Sequence, residues 1–167
     1  ESRGLGDVYK RQNTQREHIA PQRGDFSMFG GLYRPIELIE TDGVCIDPLF
    51  YASPGVFITT KSLDKSKAEV EVKTLLNSDG KARDVDVAVE ILDMKGRKVA
   101  GKTVKAAAGE KKNLEVPVTL AIAKPVLWNG VRNPYLYQVK TSIRTADGQT
   151  DEIVQPLGLR TVSVDPG

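Results

Sequence analysis

Acidic residues recur two positions apart in this chain, and a pair of carboxylates is the simplest arrangement that could do acid–base chemistry. Glu69 and Glu71 form one pair, and Asp84 and Asp86 form a second. In an extended strand, residues two apart leave on the same face, about 7 Å from each other. Both pairs stand on the polar side of alternating segments with lysines nearby. We therefore expect them to be solvated rather than catalytic.

The other residue types that carry chemistry are scarce. The 167 residues include one cysteine, Cys45, and one histidine, His18. A single cysteine excludes an internal disulfide and a zinc site built on several cysteines, and a single histidine excludes a multi-histidine metal site. No serine stands out as a triad partner for His18. We expect no metal and no cofactor, with Cys45 a small buried hydrophobic side chain.

The overall composition is typical of a globular domain. Lys and Arg number 24 against 22 Asp and Glu, and hydrophobic residues make up 40% of the chain. This near-neutral balance gives no electrostatic reason to expect a nucleic-acid partner or an anionic membrane surface. No apolar run approaches the roughly 18 residues that span a bilayer. The compartment stays open between periplasm and cytoplasm.

Period-two alternation of apolar and polar residues supplies the elements that would position these groups. Such alternation predicts half-buried β-strands, because successive side chains leave a strand on opposite faces. The clearest runs cover residues 68–74, 85–91, 114–120 and 135–143, and further strands are predicted at 55–60, 98–104, 151–155 and 158–164.

Turn chemistry separates these runs. Asp79-Gly80 and Asp147-Gly148 supply the positive φ that tight hairpins need. Pro117 lies inside a strand pattern and predicts an edge strand or a bulge. Seven or eight short strands without a helical period predict an all-β fold, an immunoglobulin-like antiparallel β-sandwich. The Cys…Trp…Cys spacing of antibody domains is absent, so aliphatic packing must hold its core.

The first 42 residues differ in kind. Residues 13–42 are rich in glycine, and six of the ten aromatic residues lie between Phe26 and Phe57. About 30 residues are too few to bury a core, so we assign 13–42 to the end of a preceding domain and 43–164 to the sandwich. Residues 1–12 share neither pattern and are interpreted as a non-native or disordered extension, with a genuine polar loop as the alternative. Both ends predict a piece of a longer protein.

Two motifs then resemble glycoside hydrolase family 2. The first is DFSMFGGLYR at residues 25–34, followed by PIEL. The second is PVLW at 125–128 with NPYLY at 133–137, followed by GLR at 158–160. The resemblance covers residues 13–164. The stretch 19–34 is especially similar to the β-galactosidases of gut and marine Bacteroidetes.

The resemblance implies an architecture and an activity. Residues 13–42 would close a jelly-roll sugar-binding domain, and 43–164 would be the immunoglobulin-like domain before a (β/α)8 barrel. Family members cleave β-glycosidic bonds with retention, using two glutamates on the barrel about 5 Å apart. Those glutamates would lie outside this chain. The chain would be a non-catalytic fragment, a spacer whose partners are the missing jelly roll, the missing barrel and a terminal β-linked sugar.

The resemblance also assigns single residues. Asp25 is expected to contact substrate in the complete enzyme, since a carboxylate accepts hydrogen bonds from sugar hydroxyls; the alternative is an aspartate that bonds its own turn. Trp128, Tyr135 and Tyr137 are expected to pack within the core or between domains rather than stack on sugar. Arg160 is expected to form an ion pair at a domain junction.

A second class of function remains open. The chain could be a stand-alone β-sandwich that binds carbohydrate or a partner protein. Within the family, β-glucuronidase or β-mannosidase specificity also stays open, because the residues that select the sugar would lie mostly in the barrel.

Overall fold

The computed structural model describes residues 38–109 and 113–162 of the chain. A boundary between compact units falls between Ile39 and Glu40, and the fold below belongs to the unit that begins at Glu40. The proposed extension 1–12, the motif at 25–34 and Asp25 itself lie outside the described residues, as does most of the segment 13–42.

The described residues contain eight strands, one short 3-10 turn at Gly130–Arg132 and no α-helix. The strands are β1 Val44–Ile46, β2 Val56–Leu63, β3 Lys67–Ser78, β4 Arg83–Leu92, β5 Lys98–Ala108, β6 Leu114–Ala123, β7 Tyr137–Thr145 and β8 Thr150–Leu157. No helix in this part of the chain is long and apolar enough to cross a membrane.

The strands form two four-stranded antiparallel sheets. One sheet has the order β5-β4-β7-β8. In the other, β3 is central: β6 pairs along one of its edges, while β2 and then β1 pair along the other. The two sheets pack as an immunoglobulin-like β-sandwich, which confirms the predicted fold class.

Aliphatic rows on the inner faces of the sheets make the core. Val70 and Val72 of β3 and Val87 and Val89 of β4 are each 0% exposed. Their neighbours along the chain point outward, so one alternating sequence builds both the core and the surface of each strand. Burial of such side chains contributes about 25 cal/mol per Å² of apolar surface.

The sequence predicted the edge strand at Pro117 correctly and a last strand at 158–164 wrongly. Pro117 lies in β6, an edge strand that pairs only with β3, so its missing N–H costs no ladder bond and the prediction for Pro117 is confirmed. The strand predicted at 158–164 is wrong over 158–162, where no strand forms. There the carbonyl of Leu159 accepts a hydrogen bond from the Trp128 amide instead, at 2.9 Å.

The backbone at Gly55, just before β2, lies very close to the backbone at Asp47. Gly55 has a φ of +70°, and a Cβ there would lie 2.6 Å from the Asp47 carbonyl oxygen. The Gly55 carbonyl accepts a hydrogen bond from the Leu75 amide at 2.8 Å, and the Asp47 amide donates to the Leu75 carbonyl at 2.9 Å. Only glycine satisfies both the positive φ and the contact distance.

We predict that Gly55→Ala lowers the free energy of unfolding by about 2 kcal/mol or more, because it adds a left-handed backbone cost to a steric clash. Gly80→Ala is the matched control: Gly80 has a φ of +91° with nothing near the added Cβ. Urea unfolding of both variants measures the difference. Equal losses at the two positions would contradict the role of the Asp47 contact.

Candidate functional site

The described residues carry many of their acidic side chains on the surface, next to lysines and arginines. They contain no group of three or more His, Cys, Asp or Glu side chains that could hold a metal ion. Of the carboxylates that the sequence pairs, Glu71 lies 2.9 Å from the Lys61 Nζ and Glu69 lies 3.6 Å from the Lys67 Nζ. These are surface ion pairs, as expected, and exposed pairs of this kind contribute little.

Cys45 is not a nucleophile in this structure. Its side chain is buried on β1, and burial raises the pKa of the Cys45 thiol above its ordinary value. A thiol that resists ionisation is a poor nucleophile. The expectation of a small buried hydrophobic residue is confirmed.

An arginine clamp ties two hairpin turns together at one end of the sandwich. The Arg83 guanidinium donates two hydrogen bonds to Asp79, from Nη1 to Oδ1 at 2.6 Å and from Nη2 to Oδ2 at 3.1 Å. Its Nε donates to Asp147 Oδ2 at 3.1 Å. Asp79 belongs to the turn between β3 and β4, and Asp147 to the turn between β7 and β8. Arg83 thereby links a turn between the sheets to a hairpin of the second sheet.

Hydrogen bonds in the clamp keep its carboxylates ionised. The bonds from the Arg83 side chain are the main cause that lowers the pKa of Asp79 from 3.8 to about 2. The Thr145 hydroxyl donates to Asp147, and this bond, followed by that from Arg83, lowers the pKa of Asp147. Carboxylates held ionised in this way suit a structural joint and not proton donation.

Next to the clamp, β1 is bonded to both sheets. Along one edge it pairs with β3. On its other side, the Val44 amide donates to Gln149 Oε1 and the Ile46 amide donates to Asp151 Oδ2, each at 2.9 Å. Side chains of the second sheet thus occupy the free edge of a strand of the first. We call Val44, Ile46, Gln149 and Asp151 the entry joint, since the chain enters the sandwich here.

The opposite end of the sandwich carries an exit joint, formed by Trp128, Gly158, Leu159 and Arg160. The Trp128 amide donates to the Leu159 carbonyl, and the Arg160 guanidinium carbon lies 4.8 Å from the centroid of the Trp128 ring. A Cβ at Gly158 would lie 3.3 Å from Trp128 Cβ. Leu159 is fully buried. The segment that leaves β8 is therefore seated on the loop before β7.

Arg160 stacks on an aromatic ring where the sequence predicted an ion pair. Within residues 38–109 and 113–162, no carboxylate lies in salt-bridge range of its guanidinium. A guanidinium over an indole ring gains cation–π attraction. Among the described residues the Trp128 ring is its partner, and an ion pair at a domain junction stays a prediction.

Two tyrosines, Tyr135 in the same loop and Tyr137 at the start of β7, pack inward. Tyr137 is 3% exposed, and its hydroxyl accepts a hydrogen bond from the Val126 amide at 2.9 Å. Burial raises the pKa of Tyr137, so the hydroxyl stays protonated. The Tyr135 ring meets the Tyr137 ring edge-on, with centroids 5.0 Å apart. These contacts agree with a packing role rather than a sugar-stacking platform.

An aromatic cluster lies beside the start of β2. The Phe50 ring meets Tyr51 at 5.0 Å and Phe57 at 5.8 Å between centroids, both edge-on. Tyr51 is 91% exposed, and both Tyr51 and Ala52 have a φ of +52°. The cluster is the described part of the aromatic concentration noted in the sequence.

Sequence reasoning missed the arginine clamp and the entry joint. The signal for the clamp was present in the two Asp-Gly turns at 79–80 and 147–148. Antiparallel strands of similar length bring both turns to one end of the sandwich, next to the first residue of β4, Arg83. Gln149 and Asp151 gave no such signal, because their partners are backbone amides more than 100 residues away.

Comparisons with known proteins bear on the same part of the chain. The model of the family "Glycosyl hydrolases family 2" matches residues 54–160. A β-glucuronidase of Bacteroides fragilis is 36% identical over 160 residues, covering 95% of this chain and 23% of the relative. The β-galactosidase BoGH2A of Bacteroides ovatus is 29% identical, covering 81% of this chain and 15% of the relative.

A solved structure agrees with these sequence matches. The crystal structure of a putative β-galactosidase from Bacteroides fragilis superimposes with a TM-score of 0.70 and 33% identity, over 74% of this chain and 19% of that one. The chain thus spans less than a quarter of the length of the curated relatives above, at 23% and 15%.

We predict that the arginine clamp makes the free energy of unfolding depend on pH in the acidic range. Asp79 has a folded-state pKa of about 2 against an ordinary value of 3.8, so ionised Asp79 favours the folded state. Its contribution is complete above about pH 4 and is lost as the pH falls towards 2. In Asp79→Asn this component is absent, and the free energy of unfolding should fall less steeply over that interval. Asp84→Asn, at an exposed carboxylate outside the clamp, is the control; identical slopes for wild type and Asp79→Asn would refute the assignment.

We also predict that Tyr137→Phe lowers the free energy of unfolding by about 1 kcal/mol, since it removes the acceptor of the Val126 amide. The matched control is Tyr135→Phe, because the Tyr135 hydroxyl does not hold this amide. Urea titrations at neutral pH compare the two. A larger loss in Tyr135→Phe would contradict the proposed anchoring.

Proposed function

Because this chain belongs to glycosyl hydrolase family 2, we propose that it is a non-catalytic segment of a retaining β-glycosidase. The complete protein would hydrolyse O-glycosyl bonds in carbohydrate metabolism. The segment would serve as the spacer that holds a sugar-binding domain against a catalytic barrel.

One observation carries the proposal: most carboxylates of the described sandwich pair with a lysine or an arginine, or accept a hydrogen bond from the backbone. Retaining hydrolysis needs two carboxyl groups about 5 to 5.5 Å apart, one as nucleophile and one as acid and base. Here Glu71 is paired with Lys61, and Asp79 and Asp147 are paired with Arg83. These carboxylates are held in ion pairs and do not supply the nucleophile and the acid–base group of such a reaction. The short coverage of the relatives agrees with a catalytic part elsewhere in a longer polypeptide.

The spacer role follows from the two joints. The entry joint fixes the first strand to both sheets, and the exit joint fixes the segment after the last strand to the loop before β7. Catalytic groups must be held within about 0.5 Å of productive geometry. A sandwich fastened at both ends would keep the domains on either side of it at a constant separation.

Within this proposal, Asp25 supplies the one direct contact with substrate. It lies outside the described residues, and the support for its role is the resemblance of residues 25–34 to the family motif. A carboxylate with two acceptor oxygens suits neighbouring sugar hydroxyls. In the complete enzyme it would reach a terminal β-linked sugar bound in the barrel.

Two sugars remain candidates. The motif at 25–34 favours galactose, and the relative of 36% identity is named a β-glucuronidase. The two sugars differ at two positions. At C4 the hydroxyl is axial in galactosides and equatorial in glucuronides, and C6 carries a hydroxymethyl group in galactosides and a carboxylate in glucuronides. We propose β-galactosidase-like specificity, with β-glucuronidase as the alternative that this relative supports.

We predict that the complete parent protein hydrolyses p-nitrophenyl β-galactoside and that the 167-residue chain does not. The parallel assay with p-nitrophenyl β-glucuronide decides between the two sugars. Turnover by the isolated chain would overturn the non-catalytic assignment, and a parent that is inactive on all β-glycosides would overturn the parent activity.

In the parent, Asp25→Asn should lower kcat/KM by about tenfold or more, because it removes a charged acceptor from the sugar. Asp84→Asn provides the matched control, since Asp84 is an exposed carboxylate on β4. An unchanged kcat/KM in Asp25→Asn would leave Asp25 as a turn residue.

A further inference from the structure

The loop before β7 contains Asn129-Gly130, the one place in the sequence where a glycine follows an asparagine. Asparagine is a thermolabile residue, because the amide nitrogen of the next residue can attack its side-chain amide carbon. Glycine hinders that attack least, since it has no Cβ. The Asn129 side chain is exposed, so water reaches the reacting group.

The attacking group in such a reaction is the Gly130 amide nitrogen. Gly130 begins the 3-10 turn Gly130–Arg132, and the first amides of a helical turn have no acceptor within it. Among the described residues, no other acceptor lies within hydrogen-bond distance of this amide. The nitrogen is therefore not held by a competing partner in the described structure.

The other described asparagines are poorer sites for the same chemistry. The residue after Asn133 is a proline, whose nitrogen carries no hydrogen to give up. The Ser78 amide, which follows Asn77, already donates to Asn77 Oδ1 at 2.9 Å. Asn113 precedes a leucine, whose side chain crowds the amide nitrogen. Asn129 is thus singled out by its neighbour and by its free amide.

The two Asp-Gly turns are protected from the related ring closure, which needs a protonated carboxyl group. Hydrogen bonds from Arg83 lower the pKa of Asp79, and those from Thr145 and Arg83 lower the pKa of Asp147. The glycine amides that follow these aspartates also donate hydrogen bonds, at 3.3 and 3.1 Å. The arginine clamp therefore preserves both turns chemically as well as mechanically.

A closed turn holds Asn129 away from reactive geometry. Its ψ of 55° places the Gly130 nitrogen and the Asn129 Cβ on opposite sides of the Cα–C bond, whereas ring closure needs them on the same side. The Asn129 amide donates to the Asn133 carbonyl at 2.8 Å, and Asn133 Nδ2 donates to the Leu127 carbonyl at 2.9 Å. Attack on the side chain therefore requires this turn to open.

We propose that Asn129 is a site of spontaneous deamidation whose rate is set by the opening of the turn at 129–133. In the open turn, the Gly130 nitrogen bonds to Asn129 Cγ, the Cγ–Nδ2 bond breaks, and ammonia leaves with the hydrogen of the Gly130 amide. One water molecule then opens the cyclic imide at either carbonyl, which leaves aspartate or isoaspartate at position 129. No atom is oxidised or reduced.

The isoaspartate product changes the main chain next to the exit joint. In isoaspartate the chain runs through the former side chain, which inserts one extra carbon before Gly130. The Asn129–Asn133 bridge then loses its register. That bridge directly follows Trp128, whose amide seats the exit segment on the Leu159 carbonyl. The reaction is a property of the 167-residue chain and does not depend on the proposed function.

Incubation of the 167-residue chain at mildly alkaline pH tests the proposal, with samples taken over time for digestion and mass spectrometry. Asn129 should deamidate faster than Asn77, Asn113 and Asn133. The rate at Asn129 should be about tenfold or more lower in the folded chain than in the urea-unfolded chain, because reaction waits for local opening. Equal rates in the two states, or faster reaction at another of these asparagines in the folded chain, overturns the proposal.

A variant that loosens the turn provides the second arm. Asn133→Ala removes the bond to the Leu127 carbonyl and should speed deamidation of Asn129 about threefold or more, as the loss of one hydrogen bond would. Asn77→Ala is the matched control, since it removes an asparagine amide at the opposite end of the sandwich. An unchanged rate in Asn133→Ala, or an equal increase in Asn77→Ala, overturns the proposal. Urea unfolding of both variants shows that each rate is that of a folded chain.

Discussion

The described structure depends on one hydrophobic core, to which inner strands of both sheets contribute rows of valine. Val70 and Val72 face the core from β3, and Val87 and Val89 face it from β4. Cys45 is a free cysteine, and the described residues contain no group of side chains that could hold a metal ion. Aliphatic packing therefore stabilises the sandwich in place of the disulfide that joins the sheets of antibody domains. Two threonines, Thr74 and Thr141, are buried beside this core.

The hydrogen bonds that join turns, loops and the first strand to the rest of the sandwich lie at its two ends. At one end, Arg83 joins two turns and β1 hydrogen bonds to both sheets. At the other, Trp128 is bonded to the segment that leaves the last strand. This distribution suits a spacer that holds neighbouring domains in place rather than a domain that converts a substrate. In the proposed role, the segment contributes rigidity, and its one substrate contact comes from Asp25, which precedes the sandwich in the sequence.

The sequence predicted the strands well because alternation is a local property. Each inward row, such as Val85 to Ile91, is visible in four or five consecutive alternations, and burial follows. Beyond Leu157 the same local signal fails: residues 160–164 alternate as a strand would, yet the Leu159 carbonyl is bonded to the Trp128 loop and no strand forms over 158–162. The joints could not be predicted because they depend on which turns and edges meet in space. The sugar could not be predicted either, since the groups that would select it lie outside the sandwich.

The central claim is that the reacting carboxylates of the parent enzyme lie outside these 167 residues. A 2-deoxy-2-fluoro glycoside traps the covalent intermediate of a retaining glycosidase on its nucleophile. Digestion of the labelled parent and mass spectrometry then locate the modified residue. The account predicts a single labelled glutamate in the sequence beyond this chain. A label on any aspartate or glutamate within residues 1–167 would contradict it.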